Sequence, residues 1–223
     1  MKHASKNART AKVVPLNRGI DTRDRVLQVA LALFADHGYR GTSLRDIARR
    51  IGIKAPSLLH HFPSKQQLYL AVLDGIFNGM EDAAHNIMLS PGGFHDQIRK
   101  AIADSIDFIA RSPDSMKLLW KELSDESGVG RQVMKRRLPP LNAIAVNFIF
   151  RGQREGAFRP EIEPFHFVQS LNSITTGYFT TAAVVKRLWN VNMLDAPSIE
   201  RRKGEVIDMV ERTLFAARGP AKS

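Results

Sequence analysis

The sequence predicts an all-α protein: an N-terminal helix-turn-helix domain of three helices, joined by a further helix to a larger helical domain. Three observations predict it. Apolar residues recur at three- and four-residue steps along most of the chain. Gly38, Gly52 and Pro63 close the early stripes where helices should end. Two of those helices are short and meet at a tight turn holding a glycine.

The first helix spans Thr22 to His37, with Val26, Leu27, Ala30, Leu33 and Phe34 on one stripe. A second starts at Ser43, whose hydroxyl caps it with Asp46 three residues on; Leu44, Ile47, Ala48 and Ile51 form its inner side. Pro56 suits the first turn of a third helix, in which Leu58 and Phe62 repeat at i and i+4. Ser64 and Gln67 form another capping pair, opening a fourth helix lined by Leu68, Val72, Leu73, Ile76, Phe77 and Met80.

Charge is concentrated in the same region. Of 223 residues, 33 are Lys or Arg and 22 Asp or Glu, a formal net charge of +11. Up to Leu70 there are 13 basic and 4 acidic residues, a net +9; the rest carries only +2. Charge gathered in one third of a chain implies one surface that meets a polyanion, whether DNA, RNA or anionic lipid. Residues 1–20 contain Lys2, Lys6, Arg9, Lys12 and Arg18 and no acid, and form a flexible basic arm that is either inert or touches phosphates.

In a helix-turn-helix the second helix of the pair enters the major groove. With Leu58 and Phe62 inward, a 100° helical wheel points Pro56, Ser57 and His60 outward, with Leu59 and His61 on the flanks. Lys54 to His61 spans about 11 Å, close to the roughly 12 Å width of a B-DNA major groove. Lys65 places a cation in the first turn of the fourth helix, against the macrodipole. A phosphate would compensate it, and Ser43 beside Arg45 offers a similar seat; water around an exposed lysine is the alternative.

The ordered set VLQVALALFADHGYRGTSLRDIARRIGIKAPSLLHHFPSKQQLYLAVL resembles the TetR family of bacterial transcriptional regulators. The resemblance is carried by Ala30 to Phe34, Gly38-Tyr39, Thr42-Ser43, Ile47-Ala48, Gly52-Ile53, Leu58, Phe62 and Ser64-Lys65. It implies a DNA-binding domain over 21–81, with the helix-turn-helix at 43–62, and a ligand-binding and dimerisation domain over 82–218. It also implies DNA contacts from Ser43, Arg45, Lys54, Ala55, Pro56, Ser57, Leu59, His60, His61 and Lys65. Where the family commonly has a tyrosine that reaches a phosphate, this chain has Leu59, so that bond is missing or supplied elsewhere, with His60 and His61 as candidates. By the same resemblance the protein is a ligand-responsive regulator, a repressor released from a double-stranded operator by an unidentified small-molecule effector.

Beyond the strong motif, helical patterns run over Asp96–Ala110, Asp114–Asp125, Arg131–Arg154, Glu163–Trp189 and Ser198–Ala217. Pro139-Pro140 should break or kink the third of these. The fourth carries too many large apolar residues for one stripe, so it should be buried on two sides. Packing the last two helices on a symmetry mate would make a homodimer through a four-helix bundle, with Ser173, Thr175, Gly177 and Ala182 at close approaches; the alternative is a monomer covering both faces.

Trp120, His166 and Tyr178 are either core residues or lining of an effector cavity. There is no cysteine, and no HExxH, GxSxG or P-loop pattern, so neither metal nor other cofactor is expected and an enzyme is not indicated. With no signal-sequence core and no run of eighteen apolar residues, a cytoplasmic setting without membrane spanning is expected. Two other functions stay open at this point: a sequence-indifferent nucleic-acid-binding protein and a small all-α enzyme.

Overall fold

The structure is a computed structural model and describes residues 21–88, 90–125 and 128–215. The basic arm over 1–20 lies outside the described residues. Among the described residues every regular element is a helix: α1 (Thr22–His37), α2 (Leu44–Ile51), α3 (Ala55–His61), α4 (Lys65–Met88), α5 (Phe94–Arg111), α6 (Pro113–Ser124), α7 (Arg131–Arg154), α8 (Pro164–Trp189) and α9 (Ala196–Leu214). They form two compact units that divide between Val72 and Leu73, inside α4 and earlier than the 81/82 boundary suggested by the sequence.

The first unit is built around one small core. Val26, Ala30 and Phe34 of α1, Ile47 and Ile51 of α2, Leu58 of α3 and Leu68 of α4 are all within 3% of full burial. Phe34 meets Tyr69 edge-on at 4.8 Å between ring centroids, and Tyr39 closes on Tyr69 at 5.0 Å. Thr42, 2% exposed, spends its hydroxyl on the carbonyls of Leu33 and Gly38 at 3.1 and 3.0 Å, which ties the α1–α2 turn to the end of α1.

In the second unit α5 lies along α9, and α7 along α8. Ile98, Ile102, Ile106 and Ile109 make the inner stripe of α5, against Val206, Val210 and Leu214 of α9 among other residues of the core. Arg137 of α7 holds the C-terminal half of α4: its guanidinium donates to both Glu81 carboxylate oxygens (2.9 and 3.1 Å), to Asn78 (2.7 Å) and to Asp74 (3.3 Å). Phe94, Phe148, Phe158 and Phe215 form an aromatic cluster, with Phe158 seated on the backbone of Gly152.

Two expectations bear on α7 and α8. Of the break or kink expected at Pro139-Pro140, the break does not occur: α7 runs unbroken from Arg131 to Arg154. The prolines remove hydrogen bonds to the carbonyls of Lys135 and Arg136, but all four residues are solvent-exposed, so water can take the freed acceptors. Within one chain α8 is covered on one side only, which counts against the alternative of a monomer covering both faces. It buries Val168, Thr175, Phe179 and Ala182, while Phe165, Leu188 and Trp189 stay 49%, 62% and 66% exposed. Helix α9 begins at Ala196 rather than Ser198 because the Asp195 carboxylate accepts from the Ser198 N–H at 2.9 Å, with Pro197 in the first turn. Residues 216 and 217, placed at its end by the sequence pattern, lie outside the described residues.

Candidate nucleic-acid interface

Helix α2 starts where an extended Ser43 (φ −111°, ψ 154°) stops the chain and turns its hydroxyl to the Asp46 N–H at 3.2 Å. The same hydroxyl donates to the Asp46 carboxylate at 2.5 Å, and Arg49 reaches the other carboxylate oxygen at 2.8 Å. The Ser43 bond is the main reason the Asp46 carboxyl lies below the ordinary aspartate range, with the Arg49 charge adding to it. A depressed folded value means that this contribution to stability is present above the unfolded aspartate range and is lost as pH falls through the folded value. Ser43→Ala is expected to move the Asp46 titration upward, followed by NMR, and to cost the first unit about 1 kcal/mol in urea unfolding.

The turn between the two helices depends on Gly52, which adopts φ 83°, ψ 29°, a left-handed conformation that a side chain makes costly. Its N–H and that of Ile53 both bond the Ala48 carbonyl at 3.0 Å. Lys54 then caps α3 in an extended conformation, its carbonyl accepting from the Ser57 N–H at 3.0 Å.

The burial of α3 divides the helix into two faces. Leu58 and Phe62 are 0% and 4% exposed. Lys54, Pro56, Ser57, Leu59 and His60 are exposed, and Ala55 and His61 are half-exposed. One side of a seven-residue helix is thus spent on the core, and the other carries two imidazoles, a hydroxyl and an apolar side chain that is 42% exposed at Leu59. Those groups suit base edges: hydrogen-bonding groups for the polar atoms, an aliphatic surface for a thymine methyl.

The structure engages Lys65 within the protein. Its ammonium donates to the carbonyls of Tyr39 (2.9 Å) and Thr42 (3.1 Å) and lies 4.2 Å from the Tyr39 ring centroid. The cation at the start of α4 is thereby compensated by two carbonyl dipoles and an aromatic face. In the sequence Tyr39 stands only as half of the Gly38-Tyr39 pair; that pair and Ser64-Lys65, far apart in the chain, carry no sign that they meet.

The other described cations of this unit fall into two sets. Arg23 lies over the Phe62 ring at 5.2 Å, Arg25 reaches the Ile51 carbonyl at 3.3 Å, and Arg49 pairs with Asp46. Arg40, Arg45, Arg50 and Lys54 are exposed. The first set fastens the fold, and the second is open to an anion.

Comparison with known proteins matches this geometry on both units. Residues 26–72 match the model of bacterial regulatory proteins of the tetR family. Residues 95–210, more than half of the chain, match the tetracyclin repressor-like C-terminal domain. The chain belongs to the TetR family. Across 170 residues it is 30% identical to the HTH-type transcriptional repressor ComR of Escherichia coli, covering 72% of this chain and 79% of that one. Its TetR fold superposes on the ketosteroid transcriptional regulator KstR2 of Mycobacterium tuberculosis with a TM-score of 0.70 at 21% identity, covering 92% and 99% of the two chains. A transcriptional regulator from Saccharomonospora viridis in complex with choline superposes with a TM-score of 0.64 at 19% identity, over 87% and 98%. These TetR relatives are transcriptional regulators, not enzymes. In this TetR protein no described helix is long and apolar enough to cross a membrane, and no three described His, Asp or Glu residues gather as metal ligands.

The three aromatic residues suggested for an effector cavity have different surroundings in the larger TetR unit. Trp120 is 44% exposed and His166 is exposed; Tyr178 is half-buried, with the Arg202 guanidinium 4.9 Å from its ring. Burial pushes the Tyr178 phenol up, partly offset by that guanidinium. A cavity of about 400 Å³ at the α7–α8 connection is lined by Gln153, Phe158, Arg159 and Glu161, among others, and by none of the three.

Proposed function

We propose that this TetR-family protein is a repressor that binds a near-palindromic operator as a homodimer, through the exposed face of α3, and is released by a small-molecule effector held in the larger unit. The carrying observation is the division of α3, with Leu58 and Phe62 buried and Pro56, Ser57, Leu59 and His60 exposed. A helix that spends only one side on its own core leaves the other for a duplex. Ser43, Arg45, Ala55, His61, Lys54 and Lys65 complete the proposed contact set, Lys65 mainly by fixing the turn that precedes Ser43.

Dimerisation through α8 and α9 is supported by the uncovered apolar side chains of α8 and by Met209 of α9, 42% exposed. Two-fold symmetry would set two copies of α3 about 34 Å apart, on successive major-groove faces. Effector binding would bias the larger unit and, through α4, whose residues belong to both units, the DNA-binding unit. The half-buried Tyr178 favours an effector-facing role more than the exposed Trp120 and His166 do. As a DNA-binding regulator it would work in the cytoplasm.

Footprinting on the DNA flanking its own gene tests this function, with a short two-fold symmetric protected site as the expected result. If each protomer neutralises about four phosphates, the log–log salt slope should be about −7 per dimer. Ser57→Ala or His60→Ala should change preference among operator sequences, by about 1–3 kcal/mol at the base pair contacted. Equal affinity of the unaltered protein for operator and random duplexes would refute it. A thermal-shift screen addresses the effector, since a ligand at 100 times its dissociation constant stabilises by about 2.7 kcal/mol.

A further inference from the structure

The α1–α2 turn carries an arginine that neither the motif nor the contacts of the fold absorb. Lys65 takes hold of the carbonyls of Tyr39 and Thr42, so the backbone between them bends around the ammonium. Residues 40 and 41, both exposed, lie between those two carbonyls in the chain. Gly41 is required there, because a Cβ at 41 would overlap the carbonyl oxygen of His37. Thr42 anchors the far end through its bonds to the Leu33 and Gly38 carbonyls, and the Tyr39 ring is fixed between Phe34 and Tyr69 at 6.4 and 5.0 Å. The turn is therefore held from both sides, and the Arg40 side chain leaves it into solvent.

Among the described residues no carboxylate pairs with Arg40 and no carbonyl accepts from it. Its counterparts Arg23, Arg25 and Arg49 each have a ring, a carbonyl or a carboxylate within the unit. An unpaired guanidinium on a well-fixed turn, three residues before the Ser43 cap of α2, loses little backbone freedom when an anion binds it, and its planar fork suits phosphate oxygens. Lys65, with its ammonium committed to two carbonyls, is the less available cation.

We infer that Arg40 is a phosphate anchor of the DNA-binding surface, presented by the turn that Lys65 holds closed. This rests on the DNA-binding function proposed above and adds to it a contact residue outside the helix-turn-helix. Such a contact carries no sequence information and contributes to operator and random DNA alike.

The test measures binding of the full-length protein to operator and random duplexes over a range of salt concentrations, for the unaltered chain, R40Q and R40K. R40Q should lose about ten-fold affinity on both duplexes near 0.1 M salt. Its salt slope should be shallower by about 1.8 per dimer, one phosphate per protomer, and R40K should restore the slope. Its melting temperature should match that of the unaltered chain. An unchanged slope in R40Q overturns the inference, as does a melting temperature lowered by several degrees, which would assign the guanidinium to the fold. Failure of the unaltered chain to prefer any operator would instead overturn the proposed function, so the two failures are distinguishable.

Discussion

Lys65→Met is expected to destabilise the DNA-binding unit by about 2–4 kcal/mol and to weaken binding to every duplex without changing the salt slope. The substitution keeps most of the aliphatic stem but removes the donor that holds the Tyr39 and Thr42 carbonyls, together with the charge over the Tyr39 ring. Hydrogen bonds to a charged group contribute about 1.5–3 kcal/mol each, and the ring contact about 1 kcal/mol; solvent access at the half-buried lysine reduces the sum. That is a large share of a domain's usual margin of about 5–15 kcal/mol. The loosened turn carries Arg40 and leads into Ser43, so both ends must be re-ordered on binding and affinity falls, while the Arg40 guanidinium still reaches its phosphate and the number of phosphates met, and with it the slope, is kept. Urea unfolding, amide exchange along α1 and α2, and salt-dependent binding check this. If Lys65 instead met a phosphate directly, stability would hold and the slope would become shallower by about 1.8 per dimer.

Gly152→Ala should have a comparable effect on the other unit, about 3–5 kcal/mol. A Cβ at 152 would penetrate the Phe158 ring, lying 2.7 Å from its Cγ. The ring cannot slide away cheaply: Phe158 is 3% exposed, lies 4.9 Å from the Phe94 ring and 5.1 Å from Phe215, and its own N–H bonds the Gly152 carbonyl at 3.1 Å. Expelling it forfeits most of what a buried phenylalanine contributes. Chemical denaturation of G152A, F158L and the double variant decides the mechanism. The double variant should be more stable than G152A alone, because a smaller side chain relieves the overlap; additive losses would mean that the two positions do not clash.

What the sequence made legible follows from the range of the interactions. Helices α1 to α4 were readable because their signals are local: the Ser43 hydroxyl acts on Asp46, Gly52 acts on Ala48, and Leu58 and Phe62 are one turn apart. The outward face of α3 was readable for the same reason, since burying one side of a helix fixes the other. The engagement of Lys65 was not, because its partners precede it by 26 and 23 residues and a carbonyl leaves no mark in residue identity. Phe158 upon Gly152 was hidden likewise, since a glycine needed for close approach looks like any other glycine. Trp120 and His166, judged by the apolar patterns around them, are exposed because side chains on one helix can face opposite ways.

The paired prolines of α7 restrict how the molecule may associate. Two main-chain acceptors, at 135 and 136, have lost their helical donors and depend on hydration. Covering that stretch with another protein surface would strand both, at about 1–3 kcal/mol each, unless the newcomer brought its own N–H or hydroxyl groups. The first turns of α7 are therefore a built-in wet strip, and any oil-like seam between subunits must run elsewhere, which leaves the bare flank of α8 as the cheaper place to close a pair.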